Sequence, residues 1–370
     1  MNYIIQFVLM PFSLLYGLIN TIRNYLYDNK VLISIRFAHP IICVGNLSVG
    51  GTGKTPHVEY LIALLKHQYS IASLSRGYGR KSAGLIYANE ESTAQLIGDE
   101  PMQYAMKNPD IVVAVGENRM LAIPDILSSV PHNELIILDD AMQHRSVRAG
   151  LTIMISQYDK PFYKDYIIPA GRLREPRSSY KRADIIVVSK CPKSISEVEK
   201  QEIIAHIKPF KYQHVYFSTL EYGAIYPMFN NIESIKDFKQ YDILLLTGIA
   251  DNQKIITHCK SFCKEIFALD FKDHHYFDRY DIEKVSELFF EIKNEKKIIL
   301  TTEKDATRLA LEKEMLWAKN LPIHILPVQV KFLDTDKNKF DNDILQYLSV
   351  TLQKINNTHQ INTEQNGIIR

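Results

Sequence analysis

The chain has 370 residues, 46% of them hydrophobic, with 44 basic against 42 acidic side chains and a net charge of +2. That apolar content can fill real cores, which excludes a disordered chain, and the balanced charge excludes a general nucleic-acid-binding surface. Four cysteines, Cys43, Cys191, Cys259 and Cys263, include one C-x₃-C pair but no second Cys/His pair at metal-ligand spacing, which excludes a structural zinc site and fits a reducing compartment.

The first predicted element is Tyr3 to Ile22, YIIQFVLMPFSLLYGLINTI, twenty residues without a charge. That length matches a helix crossing the hydrocarbon core. Gln6, Pro11, Ser13, Gly17 and Asn20 dilute it, and it lacks the charged n-region and small-residue cleavage site of a signal peptide. A spanning helix, a helix lying in one leaflet and a buried amphipathic helix all compete, with the two membrane placements together favoured. Arg23, Lys30 and Arg36 follow, so by the positive-inside rule the rest of the chain is cytoplasmic.

Short β-rich runs then alternate with helical patterns, which predicts a mostly parallel sheet with helices on both faces. The first run, Pro40–Gly45, leads into VGNLSVGGTGKTP and then into the apolar-periodic HVEYLIALL. Ser48, Val49, Gly50, Gly51, Thr52, Gly53, Lys54 and Thr55 follow the phosphate-loop pattern G-x-x-x-x-G-K-[ST], with serine in place of the first glycine. Glycines let successive N–H groups curl round a phosphate, Lys54 reaches the β- and γ-phosphates, and Thr55 is a Mg²⁺ ligand. The next helix directs its N-terminal dipole at the anion. The pattern therefore predicts a nucleoside triphosphate site of the P-loop type.

Further strands are expected at Ile71–Ser75, Ile111–Val115, Leu135–Asp139, Leu151–Ser156 and Ile185–Ser189. After Ile71–Ser75 comes SRGYGRKSAG, with Arg76, Arg80 and Lys81 among glycines, and then GDEP, with two acids at a turn. ELIILDDAMQH ends an apolar strand in paired aspartates, where the Mg²⁺ of a nucleotide is held. Asp139 suits that role, while Asp140 shares the metal, orients the loop or caps a helix. PAGRLREPRSSYKRAD adds Arg172 and Arg174 to the arginine-bearing loops that suit a polyanionic substrate. Arg177, Lys181 and Arg182 of the same stretch read as solvated basic surface.

After about residue 205 the alternation restarts, with strands expected at Ile243–Leu246, Ile266–Ala268, Ile298–Thr301 and His324–Pro327. The expected organisation is an apolar helix at 1–30, a P-loop domain at 31–210, a second, smaller α/β domain at 211–355 and a polar tail at 356–370. DHHYF, Asp273 to Phe277, carries two adjacent histidines, of which at most one can face a site. A carboxylate near an imidazole is what proton removal from a hydroxyl requires.

VGNLSVGGTGKTP, SRGYG, GDEP, DDAMQH, PAGRLREP, DHHYF and TTEKDA stand in the order seen in tetraacyldisaccharide 4′-kinases, the lipid A 4′-kinases, and the chain resembles that family from about residue 10 to about residue 330. The resemblance implies transfer of phosphate from ATP, with Mg²⁺, to the 4′-hydroxyl of a lipid A disaccharide 1-phosphate at the cytoplasmic face of the inner membrane, on two α/β domains with the N-terminal helix at the membrane. It further implies that Asp99 of GDEP and His274, the first histidine of DHHYF, form the proton-handling dyad, with either one accepting the 4′-OH proton. Arg174, Arg119 of GENRML, Gln143 and His144 match substrate-side positions, and Asn46, Arg76, Tyr78 and Glu100 in the matched motifs complete the expected substrate-binding set. One departure is Ala141, where the family commonly shows glycine, which makes the geometry at Asp140 less regular. The competing reading is a membrane-associated P-loop ATPase switch of the partitioning type. Its signature lysine would fall on Val49, which argues against it.

Overall fold

The computed structural model describes residues 3–229, 232–249, 252–272, 275–312, 315–316 and 320–367. Helix α1 (Tyr3–Asp28) opens the chain. Ser13, Gly17 and Asn20, spaced four and three residues apart, share one helical face and are buried. Ser13 Oγ accepts a 2.8 Å bond from the Ala170 N–H, and a Cβ on Gly17 would stand 2.9 Å from Ile167 Cδ1. The opposite face is apolar and bare: Phe7 is 80% exposed and Leu14 68%. A helix that points its polar residues inward and its apolar ones outward is not a buried amphipathic helix. That third placement is thereby overturned.

The main body alternates strands and helices: β1 (Ile41–Gly45), α2 (Lys54–Leu65), β2 (Ile71–Ser75), β3 (Ile86–Tyr87), α3 (Ala94–Ile97), α4 (Asp99–Lys107), β4 (Val112–Val115), α5 (Arg119–Ser129), β5 (Leu135–Asp139), β6 (Leu151–Gln157), β7 (Ile185–Ser189), α6 (Glu197–Ile207) and β8 (His214–Tyr222). A second unit follows, with β9 (Tyr226–Pro227), β10 (Asp242–Thr247), α7 (Gln253–Cys259), β11 (Glu265–Asp270), α8 (Arg279–Glu291), β12 (Lys297–Thr302), α9 (Glu303–Leu309) and β13 (Ile323–Leu326). The chain then returns through β14 (Val328–Phe332) and ends in α10 (Asp336–Gly367).

The large sheet has nine strands in the order β14-β8-β7-β6-β1-β5-β2-β4-β3, parallel except for β14 and β3 at the edges. Its central strands are continuous apolar runs buried on both faces, as parallel sheets require. Alternate residues sort to two cores. Ile41, Cys43, Ile136, Leu138, Ile186 and Val188 pack with Ile123 and Ile126 of α5. Ile42, Val44, Ile137, Ile153 and Val187 pack with Val58, Leu61 and Ile62 of α2 and with Phe340, Ile344 and Leu348 of α10. The smaller sheet, β11-β10-β12-β13-β9, has its own cores on its two faces.

Sheet membership departs from the expected division at residue 210. β8 and β14 both pair within the large sheet, and α10 covers its α2 face, so only the chain between them builds the second sheet. The polar stretch expected as a tail from residue 356 continues α10 to Gly367.

Candidate active site

β1 lies in the middle of the large sheet, and the phosphate loop emerges at its C-terminal end. Gly50 (φ 95°) and Gly53 (φ 96°) occupy the left-handed region that only glycine enters without cost. Around Gly50 no atom lies within 4 Å of where a Cβ would be, which leaves an open cradle. The loop is braced from several elements. Val49 N–H donates to the Arg172 carbonyl (2.7 Å) and Arg174 N–H to the Leu47 carbonyl (2.7 Å), with Ser48 bridging to Leu173. Asn46 Nδ2 donates to Thr52 Oγ1 (2.7 Å), and Lys190 Nζ at the end of β7 donates to the Gly51 carbonyl (2.6 Å).

His57 Nδ1 lies 2.7 Å from the Gly53 carbonyl, so Nδ1 carries the proton and Nε2 accepts from Ser218 Oγ at 3.1 Å. Burial pushes its pKa down to about 4, which keeps the ring neutral. Lys54 and Thr55 open α2 just beyond.

Asp139 ends β5 and Asp140 follows in a left-handed turn (φ 49°) that aspartate tolerates. The two carboxylates have different partners. Asp140 is forked by Arg174 (2.6 and 3.0 Å) and lies 3.6 Å from Lys54. Burial opposes its ionisation, but these cations outweigh burial and hold its carboxyl below the usual range. Asp139 accepts from the Tyr104 hydroxyl (3.0 Å), and its buried Oδ1 has no protein partner. Burial, then the neighbouring Asp140, push its pKa up to about 7. Of the two expected carboxylate ligands, Asp139 is therefore the one with an oxygen to spare.

Arg119, only 1% exposed, begins α5 and uses Nη1 on the Gly116 and Glu117 carbonyls, while its buried Nε and Nη2 have no protein partner. Burial pulls its pKa down to about 10, with Asp139 opposing and Arg76 adding to the fall. Burial and then Arg119 and Arg76 take His144 down to about 4. The turn thus faces a basic pocket with guanidinium donors to spare, an arrangement that suits a phosphate.

Asn46, expected among the substrate-binding residues, is fully buried. Its amide donates to Thr52, and its two oxygens accept from Arg174, with Gln143 Nε2 also on its carbonyl at 2.8 Å. It braces the loop. Tyr78, 84% exposed, sits at the tip of a turn between Gly77 and Gly79. Arg182, read as solvated surface, is instead a connector that donates to Glu175, the Met142 carbonyl (3.2 Å) and Asn24 (3.4 Å).

Asp99 is the first residue of α4, set by Gly98 (φ 95°), where a Cβ would lie 3.1 Å from Gly77 Cα. Its carboxylate takes a two-point fork from Arg308 of α9, at 2.5 Å (Nη2) and 3.3 Å (Nε). Glu100 pairs with Lys304 of the same helix at 3.1 Å. Asp99 and Glu100 are thus tied to the second sheet's unit through Arg308 and Lys304. His274 lies outside the described residues. His275 stacks on Phe271 (4.7 Å between ring centres) and approaches Asp281 Oδ2 at 2.7 Å in the capping box of α8. Those contacts give it a structural place.

Lys190, His57 and Arg308 were not foreseen at the site. The one available signal for Lys190 is its position just past a buried strand, and for Arg308 its place two residues after TTEKDA.

The sequence model of the tetraacyldisaccharide-1-P 4′-kinase family (LpxK) matches residues 5–349. The chain belongs to that family. It is 43% identical over 352 residues to the tetraacyldisaccharide 4′-kinase of Bacteroides thetaiotaomicron, covering 92% of each chain. It is also 43% identical to that of Flavobacterium johnsoniae, over 94% of this chain and 98% of the relative. The crystal structure of LpxK from Aquifex aeolicus in complex with ATP superposes with a TM-score of 0.72 at 29% identity, over 93% of this chain and 99% of that one. ATP and Mg²⁺ fit the residues present: an open glycine cradle, Lys54 at its rim, an orphaned Asp139 oxygen and two orphaned Arg119 nitrogens. Among the described residues no group of three or more His, Cys, Asp or Glu side chains could hold a metal ion alone.

Proposed function

We infer that this chain is an ATP-dependent kinase that phosphorylates the 4′-hydroxyl of a tetraacyldisaccharide 1-phosphate, a lipid A precursor. One observation carries the lipid side of this reading. Arg23, near the end of the apolar helix α1, donates to the Gln143 carbonyl (3.1 Å), and Gln143 donates to the Asn46 carbonyl (2.8 Å) at the base of the phosphate loop. A helix with an exposed apolar face is thus two side chains away from the phosphate cradle. That is the arrangement a phosphotransferase with an acyl-chain-bearing acceptor needs. α1 sits in or across the inner membrane, with the catalytic body on the cytoplasmic face where ATP is available.

In the reaction the acceptor's 4′-oxygen attacks the γ-phosphorus, the bond from that phosphorus to the β–γ bridging oxygen breaks, ADP leaves, and the hydroxyl proton passes to Asp99 or His274. The glycine loop and Lys54 orient the transferring phosphate, and Arg119 and Arg174 neutralise phosphate charge. Arg76, Tyr78, Glu100, Gln143 and His144 line the acceptor side. Thr55 and Asp139 would hold Mg²⁺, which would supply positive charge beside the leaving oxygens. Much of such catalysis is positioning and electrostatics.

The test is transfer of labelled phosphate from γ-labelled ATP to an acylated disaccharide 1-phosphate in detergent, with the product separated by thin-layer chromatography. A labelled bisphosphate lipid is expected. ATP turnover without labelled lipid, unaffected by the acceptor, would overturn the reading.

A further inference from the structure

We propose that Arg308 is the positioning residue for the Asp99 carboxylate, so that the second sheet's unit sets the proton-handling group in register. The proposal rests on the reading of Asp99 given above. Arg308 has 1% of its side chain exposed and reaches Asp99 across the boundary between α9 and α4. The fork donates one N–H to each carboxylate oxygen, which fixes the plane of the carboxylate as well as its position.

Arg308 is itself held from behind. Its Nη1 donates to Asp305 Oδ1 at 3.3 Å. Asp305, fully buried, takes a 2.8 Å bond from the Thr302 hydroxyl, and that hydroxyl accepts the Asp305 N–H at 3.1 Å as the cap of α9. Thr302, Asp305 and Arg308 all belong to the TTEKDATR run, a segment no step of the reaction otherwise uses. Among the described residues, Glu100, already tied to Lys304, and Tyr276 also lie near the pair.

Holding α4 in place does not depend on this fork. At the far end of α4, Lys107 pairs with Glu59 of α2 (2.8 Å) and with Glu303 of α9 (2.5 Å), and Gln103 donates to Glu59 (2.8 Å). A buried ion pair adds little net stability over apolar packing of the same volume. What the fork contributes is a fixed orientation for one carboxylate. A displacement of about 1 Å at a reacting group costs roughly 10²-fold in rate.

The experiment compares Arg308→Gln, Arg308→Lys, Asp99→Asn and the Asp99→Asn/Arg308→Gln double variant, full-length in detergent with ATP and acylated disaccharide 1-phosphate. Arg308→Gln is expected to lower kcat by roughly 10²-fold, with KM for ATP within about twofold of wild type, since nothing on the phosphate loop is touched. Arg308→Lys, a point charge without a fork, recovers part of the loss. The double variant is no slower than Asp99→Asn, because Arg308 acts only through Asp99. Near-normal kcat in Arg308→Gln beside an inactive Asp99→Asn overturns the proposal, as does a KM for ATP that rises as far as kcat falls. Full activity in Asp99→Asn would instead sink the reading of Asp99 itself. Should Arg308→Gln not fold, Asp305→Ala removes the acceptor that braces Arg308 while leaving the Asp99 fork in place. It is expected to lower kcat less than tenfold with KM unchanged, and wild-type kcat there overturns the proposal.

Discussion

Lys190 holds Gly51: its ammonium donates a 2.6 Å hydrogen bond to the glycine's main-chain carbonyl, joining the end of β7 to the middle of the phosphate loop. Burial, and then the nearby Lys254 charge, hold the Lys190 pKa below its ordinary value. The ammonium nonetheless pairs with that carbonyl and ties down the peptide in the middle of the loop. A hydrogen bond from a charged donor contributes about 1.5–3 kcal/mol. Lys190→Met keeps the stem and removes the donor. It is expected to weaken ATP binding by roughly 10-fold or more with kcat at saturating ATP less affected. Isothermal titration with a non-hydrolysable ATP analogue checks this, and unchanged affinity would show the brace to be dispensable.

Lys54 lies 3.6 Å from Asp140, at the mouth of the cradle. Lys54→Ala should lower transfer by roughly 10²–10³-fold, the usual loss for one preorganised charge contact. Thr55→Ala should raise the Mg²⁺ concentration needed for half-maximal rate. Initial rates across a Mg²⁺ titration separate the two. Wild-type turnover in Lys54→Ala would remove the phosphate-loop assignment.

The outward face of α1 makes a second class of prediction. Phe7, Leu14 and Leu18 point away from the body, while Ser13, Gly17 and Asn20 face it. Replacing Leu14 and Leu18 by Glu should release the chain from vesicles, since each charge costs about 2.5–3.5 kcal/mol in the hydrocarbon region. ATP affinity should hold, because the contacts from Arg23 to Gln143 remain. Sedimentation with liposomes measures the first effect and nucleotide titration the second. A doubly charged variant that still co-sediments would refute the membrane role of this face.

How far the sequence reached follows from the kind of information each residue carries. Ile71–Ser75, Leu135–Asp139 and Ile185–Ser189 are strands at the expected residues, because a strand buried on both faces is a short continuous apolar run. β8 (HVYFSTLEY) and β14 (VQVKF) mix charge with apolar residues, as edge-side strands do, and their pairing joins segments more than a hundred residues apart. No local pattern announces that return to the first sheet. At the site, the glycine cradle was legible because it is a backbone requirement written in residue types. The bracing contacts of Asn46 were not legible because the direction of a loop side chain is set by its partners, here Thr52, Gln143 and Arg174. The Arg308–Asp99 fork spans 209 positions and depends on how two sheets dock.

The last prediction concerns Lys107, which lies between two buried carboxylates, 2.8 Å from Glu59 and 2.5 Å from Glu303. Burial works against the Lys107 charge, but the two glutamates outweigh it and keep its pKa above the ordinary value. Burial and then the Glu303 charge push Glu59 well above its ordinary 4.5, with Lys107 only partly opposing them. A carboxyl whose pKa is raised on folding contributes stability that is full below 4.5 and is lost as pH rises through the raised folded value. Glu59→Gln copies the protonated state at every pH. Its Tm should match wild type near pH 5 and exceed it at pH 8, by roughly 2–4 °C for each kcal/mol gained. Lys107→Met has the opposite sign, because it leaves two facing carboxylates without a cation. It should destabilise by about 3–5 kcal/mol at pH 8, and by less at pH 5, where one of the carboxyls takes up a proton. Thermal melts of both variants at the two pH values decide the matter. A Glu59→Gln advantage that shrinks as pH rises would mean that Lys107, and not the burial of Glu59, dominates the cluster.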